Sequence, residues 1–194
     1  MTRIIGGAAG GRRIETPKGD ATRPTSDRVR EALFSTLEAW FGGSLSRIAV
    51  LDLYAGSGAI GLEAASRGAA YVHAVEADRP TAELIRRNAR ALGSVTEVAA
   101  QPVARFLSQP ALRPIDLVFL DPPYPLSEEE LATDLRLLVE HTWLAPEALV
   151  VIERSRRSPE PTWPVGLEPL SGKRGMKKYG ETTLWFATTT APLA

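Results

Sequence analysis

The fold of this chain is decided by the stretch Leu51-Asp52-Leu53-Tyr54-Ala55-Gly56-Ser57-Gly58-Ala59-Ile60-Gly61. An apolar run at residues 48–53 leads into it and predicts a buried strand, and an amphipathic segment at residues 60–67 predicts a helix after it. Glycines in such a turn let a ligand approach the backbone closely. Glu76 ends the next predicted strand, where its carboxylate can accept hydrogen bonds from both hydroxyls of a ribose. The pairing of this glycine turn with Glu76 predicts a nucleoside-binding sheet.

Short apolar runs continue to alternate with amphipathic segments after this turn, which is typical of a parallel sheet with helices on both faces. The predicted strands are residues 48–53, 71–75, 95–99, 115–120 and 148–153. The predicted helices between them are residues 60–67, 79–92, 103–107 and 128–141, and Ser127 with Glu130 forms a capping box before the last of these. The pattern predicts an α/β fold with a mostly parallel sheet.

The two ends of the chain differ from this pattern. Four glycines between residues 6 and 11 interrupt short basic and apolar segments, which predicts a short N-terminal β-hairpin arm. A helix is predicted over residues 27–40. At the other end, residues 165–170 and 182–187 predict a C-terminal antiparallel hairpin, with the basic residues 173–178 at its tip. We therefore expect an arm at residues 1–25 and one catalytic domain at residues 26–194.

Composition narrows the class of protein. The chain has 194 residues, of which 44% are hydrophobic and 24% charged, as in an ordinary folded domain. It has no cysteine, and its only histidines, His73 and His141, lack the spacing of a metal site, so we expect no metal. We find no apolar run long enough to span a membrane and no secretion signal, so we expect a cytoplasmic protein, and a monomer by default.

The net charge is zero, but the charges are segregated along the chain. Residues 1–30 carry +4, residues 154–178 carry +5 and residues 31–153 carry −8, and Glu181 brings the sum to zero. Basic flanks around an acidic body are a reasonable electrostatic footprint for a polyanion such as nucleic acid. The alternative is that the flanks are solvated loops that never meet in space.

A second motif, Asp121-Pro122-Pro123-Tyr124, follows the apolar strand predicted at residues 115–120. Two prolines hold the backbone extended and remove two donors, so the Asp121 carboxylate and the Pro122 carbonyl stand as acceptors. They can take both hydrogens of an amino group on a planar substrate, while the ring of Tyr124 stacks on its face. The alternative is a plain strand that ends in a proline-rich turn.

The residues around the glycine turn bear on the identity of the nucleoside. The turn also satisfies the dinucleotide fingerprint G-x-G-x-x-G, which leaves a nicotinamide cofactor open. Asp52, however, is poorly placed beside a pyrophosphate and well placed for a ligand with an ammonium group, as in S-adenosylmethionine. Asp52 can alternatively anchor the N-terminus of the following helix. Gln101, after the third predicted strand, meets the adenine edge or is an ordinary loop residue.

Three further segments carry a family resemblance: Arg3-Ile4-Ile5-Gly6-Gly7, Arg23-Pro24-Thr25-Ser26-Asp27-Arg28-Val29-Arg30-Glu31-Ala32-Leu33-Phe34 and Lys178-Tyr179-Gly180-Glu181-Thr182. With the two motifs above, they resemble the RsmD family, ribosomal RNA small subunit methyltransferase D, over nearly the whole chain. The resemblance implies a Rossmann-like S-adenosylmethionine-dependent methyltransferase fold. It also implies methylation of N2 of one guanine, position 966, in 16S rRNA, either free or within a partly assembled small subunit.

The predicted site follows from the motifs and this resemblance. The catalytic residues are Asp121, Pro122 and Tyr124. The cofactor contacts are Asp52, Tyr54, Gly56, Ser57, Gly58, Glu76, Ala77, Gln101 and Asp121. The RNA contacts are Arg3, Arg12, Arg13, Arg23, Arg28, Lys173, Arg174, Lys177 and Lys178.

The N-terminal segment, the arginines near residues 23–30 and the function each allow more than one interpretation. The family usually has an aromatic and a basic residue after the first Gly-Gly pair, whereas this chain has Ala8-Ala9-Gly10-Gly11, so Arg12 and Arg13 are the expected phosphate contacts there. Arg23, Thr25 and Arg28 close over the cofactor or touch phosphate. Alternatively, Arg28 and Arg30 pair with Glu31 or other acids on the helix surface. The rival functions are a DNA adenine-N6 or cytosine-N4 amino-methyltransferase, an NAD-linked oxidoreductase and a non-catalytic RNA-binding module.

Overall fold

The computed structural model describes residues 2–19 and 26–190 of the chain. The chain forms two compact units, residues 1–101 and residues 102–194. Of the predicted site residues, Arg23 lies outside the described residues, as does Thr25.

The first unit contains three parallel strands with helices between them. Its elements are β1 (Thr2–Arg3), β2 (Arg13–Ile14), α1 (Asp27–Trp40), β3 (Ala49–Leu53), α2 (Ala59–Ser66), β4 (Tyr71–Val75), α3 (Arg79–Leu92) and β5 (Thr96–Ala99). Strand β4 lies between β3 and β5 and is parallel to both. Strands β1 and β2 pair in antiparallel fashion, which confirms the predicted N-terminal hairpin.

The second unit mixes parallel and antiparallel pairing. Its elements are α4 (Val103–Leu107), β6 (Ile115–Leu120), α5 (Glu128–Glu140), β7 (Leu144–Ser155), β8 (Leu167–Pro169), a 3-10 turn (Gly172–Arg174), β9 (Met176–Tyr179) and β10 (Thr182–Thr189). Strand β6 is parallel to β7, and β10 is antiparallel to β7, β8 and β9. The predicted α/β fold with a C-terminal antiparallel hairpin is confirmed.

Helix ends follow the local sequence. The Asp78 carboxylate caps α3 by accepting from the N–H of Thr81 at 3.1 Å, and α3 ends at Gly93 with φ +64°. The predicted capping box of α5 is present, since the Glu130 N–H donates to the Ser127 hydroxyl and the Ser127 N–H donates to the Glu130 carboxylate. None of the helices within residues 2–19 and 26–190 has the length and apolar composition needed to cross a membrane.

The N-terminal hairpin is packed against the helices of the first unit. Ile4 and Ile14 are buried and form one cluster with Leu62 of α2 and Ala89 of α3. Burial of two isoleucine side chains contributes several kcal/mol, at about 1.5–3 kcal/mol for each. The burial of these two side chains therefore holds the hairpin against α2 and α3. The boundary expected at residue 25 stays a prediction.

The basic segment near the C-terminus is arranged differently from the prediction, which placed residues 173–178 at a hairpin tip. Lys173 and Arg174 lie in the 3-10 turn, while Lys177 and Lys178 lie in β9, paired with Leu184 and Thr183 of β10. The prediction of a tip was wrong because a charged run reads as a solvated loop, yet lysine stems can lie along a strand with their ammonium groups in water. The actual turn is formed by residues 180 and 181.

Strand β7 begins earlier than the predicted residue 148. Ile115 of β6 pairs with Leu144, but Leu117 pairs with Leu149, so several residues of β7 bulge out of register. The bulge contains Pro146 and Glu147, and Glu147 has φ +59°. Proline and a left-handed residue are typical of loops, which is why the sequence pattern placed the strand only after them.

Candidate active site

The glycine turn between β3 and α2 is shaped by residues in the left-handed region. Tyr54, Gly56 and Gly58 have φ of +57°, +57° and +82°. A side chain on Gly58 would meet Cγ2 of Ile85 at 2.8 Å, so the protein itself fills that space. At Gly56, in contrast, an added Cβ would meet no described atom within 4 Å. Gly58 is therefore required for packing, while the backbone at Gly56 is open to a ligand.

The Glu76 carboxylate closes this turn from the end of β4. Its Oε2 atom accepts a hydrogen bond from the N–H of Gly56 at 2.9 Å, and its Oε1 atom accepts from the N–H of Asp78 at 3.1 Å. Each carboxylate oxygen can accept more than one hydrogen bond, so these contacts leave capacity for ribose hydroxyls. The structure thus brings together two of the predicted cofactor residues, Gly56 and Glu76. The contact with ribose stays a prediction.

Asp52 is buried beneath the turn. Its Oδ2 atom accepts a hydrogen bond from the N–H of Gly61 in the first turn of α2, at 2.9 Å. Burial raises the pKa of Asp52 to about 8, with a further increase from the charge of Glu76, while the Gly61 hydrogen bond acts in the opposite direction. The contact is the one expected of a helix anchor, the alternative considered for this residue. Pairing with an ammonium group stays a prediction.

The other predicted cofactor residues lie in the glycine turn or in the loops after β4 and β5. Tyr54 and Ser57 are half-buried in the turn, Ala77 is exposed directly after Glu76, and Gln101 is half-buried just after β5. The loop after β4 is held to β5 because the N–H of Glu76 donates to the carbonyl of Ala99 at 3.0 Å. Their roles toward a cofactor stay predictions.

The Gly-Gly motif near the N-terminus binds the C-terminal half of α2. The buried Glu63 carboxylate accepts from the N–H groups of Ile5 and Gly6 at 2.8 and 2.9 Å. The Ser66 carbonyl accepts from the N–H of Ala8 at 2.8 Å. At Gly7, with φ +77°, an added Cβ would lie 2.0 Å from that carbonyl oxygen. The motif is therefore a docking device for the hairpin, and Glu63 is a structural residue that the sequence analysis missed.

The predicted RNA-binding arginines of the arm and of α1 have different surroundings. Arg3 pairs with Asp27 at 2.7 Å, and the Arg12 guanidinium donates to the Ala91 carbonyl at the end of α3. Arg13 and Arg28 are exposed. Arg3 and Arg12 thus already bind other groups of the protein. Their contact with RNA stays a prediction.

Arg30 pairs with an acid of α1, as one alternative predicted, but the acid is Asp27 and the arginine is buried. Its guanidinium donates to the Arg3 carbonyl at 2.6 Å, to the Thr2 hydroxyl at 3.2 Å and to Asp27 at 3.0 Å. Glu31 pairs instead with Arg67, at 2.9 Å. Arg30 therefore ties α1 to β1. A buried arginine that satisfies backbone carbonyls is a typical use of its forked donors.

In the second unit, the Asp-Pro-Pro-Tyr segment leaves β6 with its carboxylate and its phenol ring exposed. Asp121 is exposed, Pro122 is buried, and Tyr124 has 72% of its surface exposed. The N–H of Leu126 donates to the Pro123 carbonyl at 3.0 Å, which closes a tight turn with Tyr124 at its corner. A largely exposed tyrosine on a turn is available to stack on a planar ligand.

Arg154 of β7 supports this turn from below. Its buried guanidinium donates to the Leu126 carbonyl at 3.4 Å and also pairs with Glu128 in the first turn of α5. In the sequence, Arg154 was interpreted only as part of a basic flank. Its position in an apolar strand, before the polar residues 155–158, was the signal that could have identified it.

The basic residues of the C-terminal segment do not form one continuous face. Lys173 and Arg174 are exposed in the 3-10 turn, and Lys178 is exposed on β9. Lys177 is half-buried, with its ammonium 5.7 Å from the ring centre of Phe186. Because adjacent residues of a strand point to opposite faces, Lys177 and Lys178 face different ways. Their contact with RNA stays a prediction.

Within residues 2–19 and 26–190, His, Asp and Glu side chains nowhere form a group of three or more suited to hold a metal ion.

Relatives of known sequence cover most of this chain. Residues 2–188 match the family described as Conserved hypothetical protein 95. Ribosomal RNA small subunit methyltransferase D of Haemophilus influenzae is 38% identical over 161 residues, which is 81% of this chain and 80% of that protein. The protein of the same name in Escherichia coli K12 is 37% identical over 185 residues, 91% of this chain and 88% of that protein.

Solved structures show the same fold. A putative methyltransferase from Escherichia coli, yhhF, superimposes with a TM-score of 0.83 at 33% identity and covers 97% of this chain and 98% of its own. An RNA methyltransferase from Salinibacter ruber, solved in complex with S-adenosyl-L-homocysteine, has a TM-score of 0.60 at 19% identity, over 89% of this chain and 97% of its own. The second likeness concerns the fold alone.

The fold and the glycine turn closed by an acidic residue define a Rossmann-like methyltransferase of the class that uses S-adenosylmethionine. The open backbone at Gly56 and the acceptor capacity of Glu76 fit a nucleoside with a free ribose. Within this class, the chain belongs to the family Conserved hypothetical protein 95, the RsmD family of ribosomal RNA small subunit methyltransferases. The family expected from the sequence motifs is confirmed.

Proposed function

We propose that this protein transfers a methyl group from S-adenosylmethionine to the exocyclic N2 amine of one guanine in 16S rRNA, position 966 by family resemblance. The observation that carries the proposal is the segment after β6, where an exposed carboxylate, a proline carbonyl and an exposed phenol ring stand within four residues. The names of the relatives at 37–38% identity support ribosomal RNA as the substrate.

The exocyclic nitrogen of guanine is a poor nucleophile because its lone pair is delocalised into the ring. In the proposed reaction, the Asp121 carboxylate and the Pro122 carbonyl accept the two amino hydrogens and favour a pyramidal nitrogen with its lone pair free. Pro122 is buried, its ring fixes φ and the following Pro123 restricts its ψ to extended values, so its carbonyl has a narrow range of directions. The protein thus lowers the barrier mainly by positioning and by hydrogen bonds to the reacting amine.

The bound cofactor supplies an electrophilic methyl group on a sulfonium. The nitrogen lone pair forms the new N–C bond as the C–S bond breaks, and the sulfur leaves as a neutral thioether. The methylated nitrogen then loses one proton to Asp121 or to water, so no covalent enzyme intermediate is needed. Tyr124 stacks on the guanine, which must leave any helical stack to reach these acceptors.

Substrate recognition rests on the cations of the two basic flanks. Among the predicted RNA contacts within residues 2–19 and 26–190, Arg13, Arg28, Lys173, Arg174 and Lys178 have exposed side chains that can reach phosphates. Binding of this kind weakens steeply as salt rises, because counterions are released from RNA. We propose that the protein acts as a cytoplasmic monomer on rRNA that is free or within a partly assembled small subunit.

Methyl transfer from labelled S-adenosylmethionine tests the proposal. The purified protein is incubated with 16S rRNA transcripts, with small subunits from a strain that lacks the enzyme, and with duplex DNA, and the modified base is mapped by mass spectrometry of nuclease digests. We expect N2-methylguanine at one position in RNA and no product in DNA. Methylated adenine or cytosine in DNA would instead support the alternative function of a DNA amino-methyltransferase. Light scattering tests the oligomeric state separately, and a mass above that of one chain would overturn the proposed monomer.

A further inference from the structure

One buried polar residue of α3 contacts two other segments of the first unit. Asn88 lies on α3 with 4% of its surface exposed. Its Nδ2 atom donates to the Glu15 carbonyl at 2.9 Å and to the Ser57 carbonyl at 3.2 Å. Its Oδ1 atom accepts from the N–H of Glu15 at 2.9 Å. Every hydrogen of this amide group is therefore used, one of them at the glycine turn.

The contact with Glu15 imitates strand pairing. A side-chain amide offers a donor and an acceptor side by side, as a neighbouring strand would, and here it takes both backbone groups of one residue. Glu15 directly follows β2, and its own carboxylate reaches Arg87 on α3 at 3.4 Å. Asn88 therefore holds the chain that leaves the N-terminal hairpin against α3.

The contact with Ser57 lies inside the cofactor turn. Ser57 stands between Gly56, whose N–H donates to Glu76, and Gly58, whose Cα faces Ile85. Ile85 and Asn88 are three residues apart on α3 and so lie on the same face of that helix. The turn thus rests on α3 through an apolar contact at Gly58 and a hydrogen bond at the neighbouring peptide.

We propose that Asn88 is a positioning residue that couples the cofactor turn to the segment after the N-terminal hairpin. A methyl donor that fixes the peptides at residues 56–58 also fixes the hydrogen bonds of Asn88, and through them the backbone at residue 15. By linkage, whatever holds residue 15 in place favours donor binding by the same factor. This inference rests on the proposed donor site.

Only an amide suits this position. In Asn88→Asp, the shape is kept but both donors are lost, so a carboxylate oxygen faces the carbonyls of Glu15 and Ser57. In Asn88→Ala, all three hydrogen bonds are lost together. Buried carbonyls that lose a partner are costly, so both variants should loosen the turn as well as the segment.

The matched control is Ser66→Ala. The Ser66 hydroxyl accepts from the N–H of Ala9 at 2.9 Å and donates to the Gly6 carbonyl at 2.6 Å, so it anchors the same N-terminal region. It has no contact with the glycine turn among the hydrogen bonds of the described residues. A merely structural role for Asn88 would make the two variants behave alike toward the cofactor.

The experiment measures binding of S-adenosylhomocysteine by calorimetry and the KM for S-adenosylmethionine and kcat with rRNA. We expect Asn88→Asp to raise the Kd of S-adenosylhomocysteine and the KM for S-adenosylmethionine about tenfold, while kcat stays within about twofold of wild-type. Ser66→Ala should change neither this Kd nor this KM by more than about twofold. Equal effects of the two variants, or an unchanged Kd in Asn88→Asp, would overturn the coupling.

Hydrogen exchange of the wild-type protein keeps the test independent of whether a variant folds. We expect S-adenosylhomocysteine to slow exchange of the Glu15 amide, which donates to Asn88, as well as amides of the glycine turn. Protection confined to the turn would contradict the proposal. If the wild-type protein binds no S-adenosylhomocysteine at all, the donor site itself is wrong, which is a separate outcome.

Discussion

The glycine turn at residues 54–58, with Asp52 and Glu76, is the donor turn of the first unit, and residues 121–124 are the acceptor segment of the second unit. The two are built in opposite ways. In the donor turn, Asp52 is buried, the Glu76 carboxylate accepts from two backbone N–H groups, and Gly58 is packed against Ile85. In the acceptor segment, Asp121 and Tyr124 are exposed and only Pro122 is buried. In the proposed reaction, residues of the first kind serve both folding and donor binding, whereas the exposed residues of the second kind serve turnover.

The comparison has a direct experimental meaning. Substitutions in the donor turn should change the free energy of unfolding as well as cofactor affinity. Substitutions in the acceptor segment should change the rate of methyl transfer and leave both of those quantities nearly unaltered.

The largest effect is expected for Asp121→Ala. Loss of one amine acceptor should lower kcat by at least about 10³-fold, because the reacting nitrogen loses the hydrogen bond that directs its lone pair. The Kd of S-adenosylhomocysteine and the melting temperature should stay near wild-type, since Asp121 is exposed. Labelled methyl transfer and calorimetry give the two readouts. A wild-type rate would remove the proposed role of Asp121 and break the comparison.

The next largest effect separates two glycines of the donor turn. Gly58→Ala brings a Cβ to within 2.8 Å of Ile85 and imposes a left-handed φ on alanine, so it should lower the free energy of unfolding by about 2–4 kcal/mol. Its matched control, Gly56→Ala, carries only the cost of φ +57°, about 1 kcal/mol. Urea unfolding measures both. Equal destabilisation would mean that the packing at Gly58 is not the cause.

Gly56→Ala should differ from Gly58→Ala in a second way. Because the backbone at Gly56 is open, its methyl group should obstruct the ligand and raise the Kd of S-adenosylhomocysteine while the protein stays folded. Unchanged affinity in a folded Gly56→Ala variant would place the ligand elsewhere.

A smaller effect is expected at Tyr124. Stacking of a base on an aromatic ring is worth about 1–3 kcal/mol, so Tyr124→Ala should lower kcat/KM for rRNA by about 10–100-fold. Tyr124→Phe keeps the ring and should stay close to wild-type, as should the stability of both variants, because the side chain is 72% exposed. A large loss in the phenylalanine variant would show that the hydroxyl, and not the ring, carries the function.

The pH dependence of stability tests the burial of Asp52. Its folded pKa is about 8, above the usual value near 4 of an unfolded aspartate, so the folded state keeps a proton that the unfolded chain has released. Stability should therefore fall as pH rises from about 4 to 8, by up to about 1.4 kcal/mol for each pH unit, and level off above that range. Asp52→Asn should remove this slope in urea unfolding.

Wild-type protein, unfolded in urea over the same pH range, is the reference for Asp52→Asn. If Asp52 also pairs with the ammonium group of the donor, cofactor binding below pH 8 should release a proton, which calorimetry in buffers of different ionisation enthalpy detects. A profile that is the same in Asp52→Asn and wild-type would show that Asp52 does not titrate in this range.

The smallest effect concerns the basic turn of the second unit. The double variant Lys173→Ala, Arg174→Ala should weaken RNA binding only a few-fold, and should reduce the slope of log affinity against log salt by about 1.4, at about 0.7 per contact with single-stranded RNA. The control is Arg136→Ala, an exposed cation already paired with Glu140 at 3.4 Å. Equal slopes in the double variant and wild-type protein would exclude this turn from the RNA interface.

Much of the fold was predictable because patterns of neighbouring residues indicate where most strands and helices begin and end. Apolar runs with glycine or capping residues at their ends located β3, β4, β6, α3 and α5 with small errors. The pattern failed at β7, where Pro146 and Glu147 form a bulge, and at β9, where a basic run pairs as a strand. In both places, pairing with a distant strand decided the conformation, and no local signal reports such pairing.

The candidate site also has features that the sequence predicted and features that only the tertiary structure decided. The two motifs, Glu76 and the family were accessible from residue types and spacing, since glycine turns and rigid acceptors are encoded within a few consecutive residues. Burial of Asp52, Arg30 and Glu63, and the contacts of Asn88 with residues 15 and 57, were decided only by the tertiary structure. A side chain's hydrogen-bond partners and its exposure depend on segments far away in the chain, and these segments meet only when the unit is folded.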